Sequence, residues 1–157
     1  MRLGNGWGRL GMRSEWKNAI LGDVITLKRG YDLPSKSRIP GNIPIFSSSG
    51  INGTNNKPMC TPPGVITGRY GTIGQVFFST QPYWPLNTTL YVEDFKGNIP
   101  KFVYYFLKTV HWEQFSGKSA VPGVNRNDVH RLEIKWPSIK EQENIAAVLT
   151  SLDDKIE

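Results

Sequence analysis

The chain has 157 residues, of which 38% are apolar, so we expect one domain with its own hydrophobic core. It has no apolar run of 18 residues, which argues against a transmembrane helix, and its single cysteine, Cys60, rules out an intramolecular disulfide and fits a reducing, cytoplasmic compartment. The net charge of +6 lies in a body, residues 14–131, with 13 basic and 7 acidic residues, which favours a polyanion such as nucleic acid, with ordinary surface charge as the alternative.

The first predicted strand follows an N-terminal segment that we leave out of the fold. Residues 1–14 are rich in Gly and Arg without clear periodicity, and we interpret them as a disordered arm or a tag. From Trp16 onward the pattern changes. An alternating stretch around Ile25 and Leu27 predicts a strand that enters a turn at Gly30.

Two long polar segments come next and are predicted to be functional loops. They flank a short apolar piece, residues 43–46, and they are rich in Pro, Ser, Gly and Asn. Loops of this length inside a compact domain are usually functional. Lysine and arginine can bond guanine and asparagine can bond adenine. Four side chains here are therefore candidate DNA contacts: Lys36, Arg38, Asn55 and Lys57.

The stretch GRYGTIG, residues 68–74, is only superficially like a phosphate-binding loop. Its glycines are spaced G-x-x-G-x-x-G rather than G-x-G-x-x-G, and the residues after Gly74 are typical of a strand rather than a helix. We therefore predict a turn between two short strands, at residues 65–67 and 73–78, in which glycines permit tight bends or close approach. Arg69 and Tyr70 project from this turn as candidate DNA contacts.

The middle of the chain contains a strand and a clear amphipathic helix. NTTLYVE, residues 87–93, has the β-branched and aromatic residues of a strand. The helix is predicted to begin near Pro100, and its apolar side chains follow i, i+3, i+4, i+7 spacing: Val103, Phe106, Leu107 and Val110.

A polar, basic loop follows this helix. It carries two further candidate DNA contacts, Lys118 and Arg126. VHRLEIKWP, residues 129–137, then alternates as a strand, with Val129 as its first apolar position.

The C-terminal segment, residues 138–157, predicts a capped helix with an apolar seam. Ser138 and Glu141 match a capping box, in which each side chain satisfies a free backbone N–H group. Four apolar residues then follow 4, 3, 4 spacing: Ile145, Leu149, Leu152 and Ile156. This is the a/d pattern of a helix that packs along another helix. The helix docks either on its own domain or, in the sharper interpretation, on a helix outside this chain.

Catalytic and metal chemistry are poorly supported by the residues present. The chain has two histidines and one cysteine, and it lacks C-x-x-C, H-E-x-x-H and G-x-S-x-G motifs. The acid-x-Lys element of nucleases occurs twice, at residues 94–96 and 133–135, but no Pro-Asp dipeptide lies upstream to supply a second acid. Neither a Gly-rich cofactor loop nor an Asn/Asp-Pro-Pro-Tyr element is present. We therefore predict no metal site and no catalytic residue.

The order of the motifs resembles a known family. W…LGDVITLKRG is followed by IPIFSSSGINGTN, PGVITGRYGTIGQVFF, YWPLNTTLYV, FVYYFL, SAVPGVNRNDV and WPSIKEQENIAAVLTSLDDKIE. From about residue 15 to residue 157 this order resembles a target-recognition domain from the specificity subunit (HsdS) of a Type I restriction–modification enzyme. The closing P-S-x-x-E-Q-x-x-I, which leads into a helix, is its most characteristic part.

The resemblance implies both a fold and a function. The fold is expected to be α+β, with a mixed, irregular β-sheet recognition domain at residues 15–137 and the start of a long conserved coiled-coil-type helix at residues 138–157. Such a domain reads one half of a bipartite double-stranded DNA target and is not itself an enzyme. No cofactor is expected in this chain, since S-adenosylmethionine belongs to the methyltransferase partner.

The resemblance also names partners and leaves two hypotheses. The expected partners are methyltransferase subunits, the restriction subunit, and a second recognition domain or conserved helix, with no membrane. The first hypothesis is a DNA-recognition module of a restriction system that works through the basic loops. The alternative is a protein-interaction module that acts through the C-terminal a/d helix and has no DNA specificity of its own.

Overall fold

A computed structural model describes residues 16–117 and 120–156 of the chain. Within them the strands are β1 (Lys17–Ile20), β2 (Thr26–Arg29), β3 (Ile43–Ser47), β4 (Gly50–Asn55), β5 (Gly64–Gly68), β6 (Val76–Ser79), β7 (Trp84–Pro85), β8 (Thr89–Asp94) and β9 (Glu133–Trp136). The α-helices are α1 (Leu21–Val24), α2 (Pro100–Lys108), α3 (Arg126–His130) and α4 (Ile139–Ile156), and two 3-10 helices span Ser35–Ser37 and Trp112–Phe115. The predicted arm, residues 1–14, lies outside the described residues.

A four-stranded antiparallel sheet, in the order β2-β8-β5-β6, forms the middle layer of the domain. Side chains along a strand alternate between the two faces of a sheet, and here both faces are buried. Val65 and Leu90 belong to a larger core cluster, whereas Ile66 and Tyr91 belong to a smaller one. The central strands therefore carry apolar residues at consecutive positions, which explains their short continuous apolar runs in the sequence.

Helix α2 packs into the larger cluster through its predicted apolar stripe. Three residues of that stripe lie on α2 and are buried there, Val103, Phe106 and Leu107, and the fourth, Val110, is buried in the same cluster just after the helix ends at Lys108. Pro100 occupies the first turn, where a backbone N–H has no partner within the helix in any case. The predicted start of the helix and its buried face are both confirmed.

A second sheet, of three strands in the order β4-β3-β7, covers the smaller cluster. The rings of Phe46 and Tyr83 pack edge to face with centroids 6.0 Å apart, and Tyr83 packs in the same way on Tyr91 of the middle sheet at 6.5 Å. Strand β3 runs antiparallel to β4 and parallel to β7. The domain is α+β with mixed sheets and few helices, which confirms the predicted fold class.

Two segments differ from the secondary structure that the sequence predicted. Val24, expected to belong to the first strand, ends the short helix α1, in which the Leu21 N–H donates to Leu132 O and the Leu21 side chain is fully buried. Residues 50–55, expected to be a polar loop, form β4 at the edge of its sheet. An edge strand obtains its bonds from the backbone and keeps an exposed face, so it accepts the polar side chains found here.

The segment after residue 125 also differs from the prediction. Val129, expected to begin a strand, lies in α3 with its side chain fully buried. Asn125 caps this helix, because its Oδ1 accepts the Asn127 N–H at 2.8 Å. The strand β9 begins only at Glu133.

Helix α4 begins with half of the predicted capping box. Ser138 Oγ accepts the Glu141 N–H at 3.3 Å, as a helix cap should. The Glu141 carboxylate instead accepts the Trp16 indole N–H at 3.0 Å, which ties the first turn of α4 to the residue before β1. Although α4 has 18 residues, no helix in the described ranges is both long and apolar enough to cross a bilayer.

The Gln142 side chain, which is fully buried, joins three elements at the start of α4. Its Oε1 accepts the Ile99 N–H at 2.9 Å, just before α2. Its Nε2 donates to Asn98 Oδ1 at 2.9 Å and to Pro137 O at 3.1 Å. Asn98 Oδ1 also accepts the Trp136 indole N–H at 2.9 Å. The oxygen and the nitrogen of this buried amide both have partners, so the network fixes α4 against α2 and β9.

Gln142→Leu should lower the free energy of unfolding by about 2–4 kcal/mol, because it leaves the Ile99 N–H and the Pro137 carbonyl without their partner. Urea unfolding followed by tryptophan fluorescence measures the change. The control is Glu143→Ala, an exposed neighbour, which should change stability by less than about 0.5 kcal/mol. Equal stabilities of the two variants would contradict the role assigned to the network.

Candidate nucleic-acid interface

The turn between β5 and β6 is shaped by its glycines. A Cβ on Gly68 would lie 2.0 Å from Thr72 O, so this close approach requires glycine. Gly71 and Gly74 have φ values of +88° and +105°, in a region that residues with side chains rarely adopt. The turn that the sequence predicted, with bend and close-approach glycines, is confirmed.

Hydrogen bonds join this turn to two segments that are distant in the sequence. The Val124 N–H donates to Arg69 O at 2.7 Å. On the other side, the Thr72 N–H donates to Ser48 Oγ at 3.4 Å, at the tip of the β3–β4 hairpin. We name the three joined segments the loop face: residues 47–50, 68–74 and 120–126. Lys118, the candidate just before the third segment, lies outside the described residues.

Arg69 is held within the loop face by hydrogen bonds to residues 87 and 88. Its Nε and Nη2 both donate to Asn87 O, at 2.9 and 2.5 Å, and its backbone N–H donates to Thr88 O at 2.8 Å. Burial lowers the pKa of the Arg69 guanidinium, and the positive charge of Arg29 lowers it further. Arg69 therefore fixes the turn against residues 87–88, and its predicted DNA contact would use the N–H donors that remain.

Tyr70 is presented on the surface of the loop face. The residue is 47% exposed, and its ring lies beside Gly123, where an added Cβ would be 3.7 Å from Tyr70 Cδ2. The Gly71 N–H donates to Pro122 O at 3.0 Å, which keeps this segment next to the ring. Val121 is exposed in the same segment. A fixed aromatic ring with an apolar neighbour can contact a base or a thymine methyl group.

Arg126 and His130, one turn apart on α3, close the outer edge of β2. Arg126 Nη1 donates to Leu27 O at 2.9 Å, and His130 Nε2 accepts the Leu27 N–H at 2.9 Å. The two side chains thus occupy backbone groups that an edge strand otherwise leaves open. The sequence predicted that Arg126 contacts DNA. Its guanidinium is bonded to the Leu27 carbonyl within the domain, and its contact with DNA stays a prediction.

The edge bond of His130 requires a neutral ring. Burial lowers the pKa of His130, and the positive charges of Arg126 and Lys96 lower it further. Since Nε2 accepts from Leu27, the neutral ring carries its proton on Nδ1. Protonation of Nε2 would place its N–H against the Leu27 N–H, and the hydrogen bond between them would be lost.

Four candidates lie outside the loop face: Lys36, Arg38, Asn55 and Lys57. Asn55 lies at the base of the β3–β4 hairpin, where it pairs with Ile43. The length of β3, Ile43–Ser47, places this base about 13 Å from the tip that joins the loop face. Lys36 and Lys57 are exposed. Arg38 donates from Nη1 to Asn52 O at 3.1 Å. The structure therefore divides the candidates between two regions.

Asn55, a candidate DNA contact from the sequence, is buried and hydrogen-bonded within the domain. The residue is 4% exposed, its Oδ1 accepts the Ile39 N–H at 3.0 Å, and its Nδ2 donates to Lys57 O at 3.1 Å. Asn55 therefore fastens the preceding loop to β4, and its amide is not presented to a base.

The predicted seam of α4 divides between two environments. Ile145 is 1% exposed in the larger core cluster, and Leu149 packs against that cluster, partly buried. Leu152 is 50% exposed, and the Ile156 side chain lies outside what the structure describes. Ile145 therefore belongs to the core of its own domain, the first of the two alternatives for this helix, and contact between the seam and a partner helix stays a prediction.

Sequence reasoning missed three residues beside the loop face: His130, Lys28 and Arg29. His130 stands four residues after Arg126, a spacing that places both on one helical face, but α3 was not predicted. Lys28 and Arg29 end β2, and their adjacent charges were the available signal.

The described residues define a binding domain with a polar, basic face. Glycine-shaped turns display arginine, serine, threonine and tyrosine side chains on an α+β scaffold. Over residues 16–117 and 120–156, no three His, Cys, Asp or Glu residues are grouped so that they could hold a metal ion. The arrangement is suited to recognition of a polar, anionic surface.

The chain belongs to the family of the Type I restriction modification DNA specificity domain, whose family model matches residues 13–157. It is 24% identical over 145 residues to the specificity subunit of the Type I restriction enzyme EcoprrI from Escherichia coli, covering 88% of this chain and 36% of that subunit. It is 35% identical over 83 residues to the MjaIX specificity subunit from Methanocaldococcus jannaschii, covering 46% of this chain and 18% of that subunit. The chain thus spans well under half the length of these relatives.

Solved structures share the fold. The S subunit of a Type-I restriction-modification system from M. genitalium has a TM-score of 0.77 at 21% identity, over 88% of this chain and 39% of that one. The HsdS subunit from Thermoanaerobacter tengcongensis has a TM-score of 0.68 at 18% identity, over 90% and 38%. A third structure, from work on complex assembly and conformational transition of the type I R-M system, has a TM-score of 0.72 at 18% identity, over 90% and 39%.

Arg69→Ala should lower the free energy of unfolding by about 1–3 kcal/mol, because the variant loses the charged bonds to Asn87 O. Chemical denaturation without DNA measures this. Lys57→Ala, at an exposed position, is the matched control and should leave stability unchanged. If both variants are as stable as the parent, Arg69 does not hold the turn.

The bond between His130 and Leu27 should make stability depend on pH. The folded pKa of His130 lies below its ordinary value of 6.5, so its contribution is complete above pH 6.5 and is lost as pH falls through the folded pKa. Thermal unfolding between about pH 7.5 and 5 should show this loss in the parent and less of it in His130→Gln. His111→Gln, at an exposed histidine, should behave like the parent, and an unchanged pH profile in His130→Gln would contradict the assignment.

Proposed function

We propose that this chain is the DNA-sequence recognition module of a Type I restriction–modification system and reads half of a bipartite target. The loop face carries the proposal, because hydrogen bonds hold the turn that bears Arg69 and Tyr70 against residues 122–124 and the hairpin tip. Phosphate contacts position a protein on a duplex and base-edge contacts select the sequence, so a face that combines cations with neutral polar and aromatic groups suits the task. The family and the specificity subunits it resembles support the same function.

In this proposal the chain carries no catalytic step. Methylation with S-adenosylmethionine and cleavage belong to the methyltransferase and restriction subunits, which the chain directs to the target. Val148 and Leu152 form an exposed apolar strip on α4, with i, i+4 spacing. Such a strip is suited to packing against a partner helix, from a second recognition domain or another subunit.

Titration of a mixed-sequence duplex into the chain at several salt concentrations tests the DNA role. Because binding to phosphates releases counterions, the logarithm of the affinity should fall linearly with the logarithm of the salt concentration. Absent or salt-independent binding would overturn the proposal and would leave the protein-interaction module as the surviving hypothesis.

Tyr70→Ala should weaken binding to the recognised half-site by about 1–3 kcal/mol and should change binding to a mixed-sequence duplex much less. The half-site is obtained by selection from a random library with the chain and its methyltransferase partner together. Lys140→Ala, at an exposed position at the start of α4, is the control and should change neither affinity. An equal loss on both duplexes would show that Tyr70 does not read a base.

A further inference from the structure

An open cleft of about 380 Å³ lies where β2 ends. Its lining is Lys28, Arg29, Gly30, Tyr31 and Arg126. Three of these five residues are cationic, and two of them were not among the side chains that the sequence suggested as DNA contacts. The position of Arg126 in the cleft is fixed, because its Nη1 is bonded to Leu27 O.

The backbone of β2 adds a donor at the same edge. Gly30 N–H donates to Thr89 O of β8 at 3.0 Å, whereas Leu27 N–H points the other way, to His130. Since N–H groups alternate in direction along a strand, the Arg29 N–H points to the same outer edge as that of Leu27. The bonded guanidinium of Arg126 and the backbone N–H of Arg29 therefore lie beside each other.

Two carboxylates lie close to these cations and reduce the net positive charge of the cleft. Glu93 Oε2 lies 3.2 Å from Lys28 Nζ, and Asp32 Oδ1 lies 3.6 Å from an Arg29 guanidinium nitrogen. The side chains in both pairs are 40% to 71% exposed, and exposed ion pairs contribute only about 0–1 kcal/mol each. Such weak pairs are easily exchanged for a stronger anion. Three cations against two carboxylates leave the cleft positive.

The cleft adjoins the loop face. The Gly30 N–H donates to Thr89 O and the Arg69 N–H donates to Thr88 O, so the end of β2 and the turn of the loop face meet consecutive residues of the chain. Arg126 belongs both to the cleft and to the third segment of the loop face. A duplex whose bases meet Tyr70 therefore has its backbone near the cleft.

We propose that this cleft, residues 28–31 with Arg126, holds a backbone phosphate of the duplex whose bases meet the loop face. The inference rests on the proposed DNA-binding function and assigns it a sequence-independent anchor. Backbone N–H, guanidinium and ammonium donors that converge on one point suit a phosphate oxygen. A base edge, by contrast, would be read from the exposed turn.

Arg29→Ala tests the anchor, because its side chain is half exposed and its loss should leave the fold intact. The affinity should fall about fivefold to tenfold near 0.1 M salt, equally on the selected half-site and on a mixed-sequence duplex, and the salt slope should fall by about 0.9. Lys135→Ala removes the same charge from the exposed face of β9 and is the matched control. It should change neither quantity.

Asp32→Asn supplies a test in the opposite direction. Removing the carboxylate that competes for Arg29 should tighten binding about twofold to fivefold on both duplexes. This variant keeps the proposal testable even if Arg29→Ala unfolds, and circular dichroism establishes that each variant is folded.

The outcomes separate the two proposals. If the parent chain binds no duplex, the proposed function fails. If the parent binds and Arg29→Ala behaves like Lys135→Ala, or loses affinity on the selected half-site alone, the phosphate anchor is wrong and the proposed function stands. Weaker or unchanged binding by Asp32→Asn would also overturn the anchor.

Discussion

The buried amide of Gln142 determines how the domain closes. It bonds to the chain before α2, to Asn98 and to the residue after β9, so the C-terminal helix starts at one place and in one direction. A buried polar network that is satisfied in only one arrangement selects that arrangement against others. The network also affects the far end of α4. Because the first turns of the helix are docked in this direction, the side chains of Val148 and Leu152 are exposed to solvent.

The loop face depends on bonds between segments that are remote in the sequence. The turn at residues 68–74 is held by the hairpin tip, by residues 87–88 and by residues 122–124. On the neighbouring edge, α3 closes β2 through Arg126 and His130. Loops fixed before binding lose less conformational entropy when a ligand binds, so these internal bonds favour recognition without touching the ligand.

Several polar residues of the type expected to contact DNA are used inside the domain instead. Asn55 fastens a loop, Arg38 donates to a backbone carbonyl, and Arg69 and Arg126 each do the same. A carbonyl oxygen and a phosphate oxygen are both acceptors for the same donors, so residue type does not distinguish the two uses. Residue type could therefore suggest candidate side chains, whereas the contacts that each of them makes within the domain required the tertiary structure.

The sequence alone determined the features that rest on local periodicity and local chemistry. These are the stripe of α2, the cap at Ser138, and the turn at residues 68–74 that leads into a strand. Only the tertiary structure decided that the polar residues 50–55 form a strand, that Val129 lies in a helix, and that Ile145 is core while Leu152 is exposed. The physical reason is that periodicity identifies side chains that share a face, while long-range packing and backbone bonds decide what that face meets.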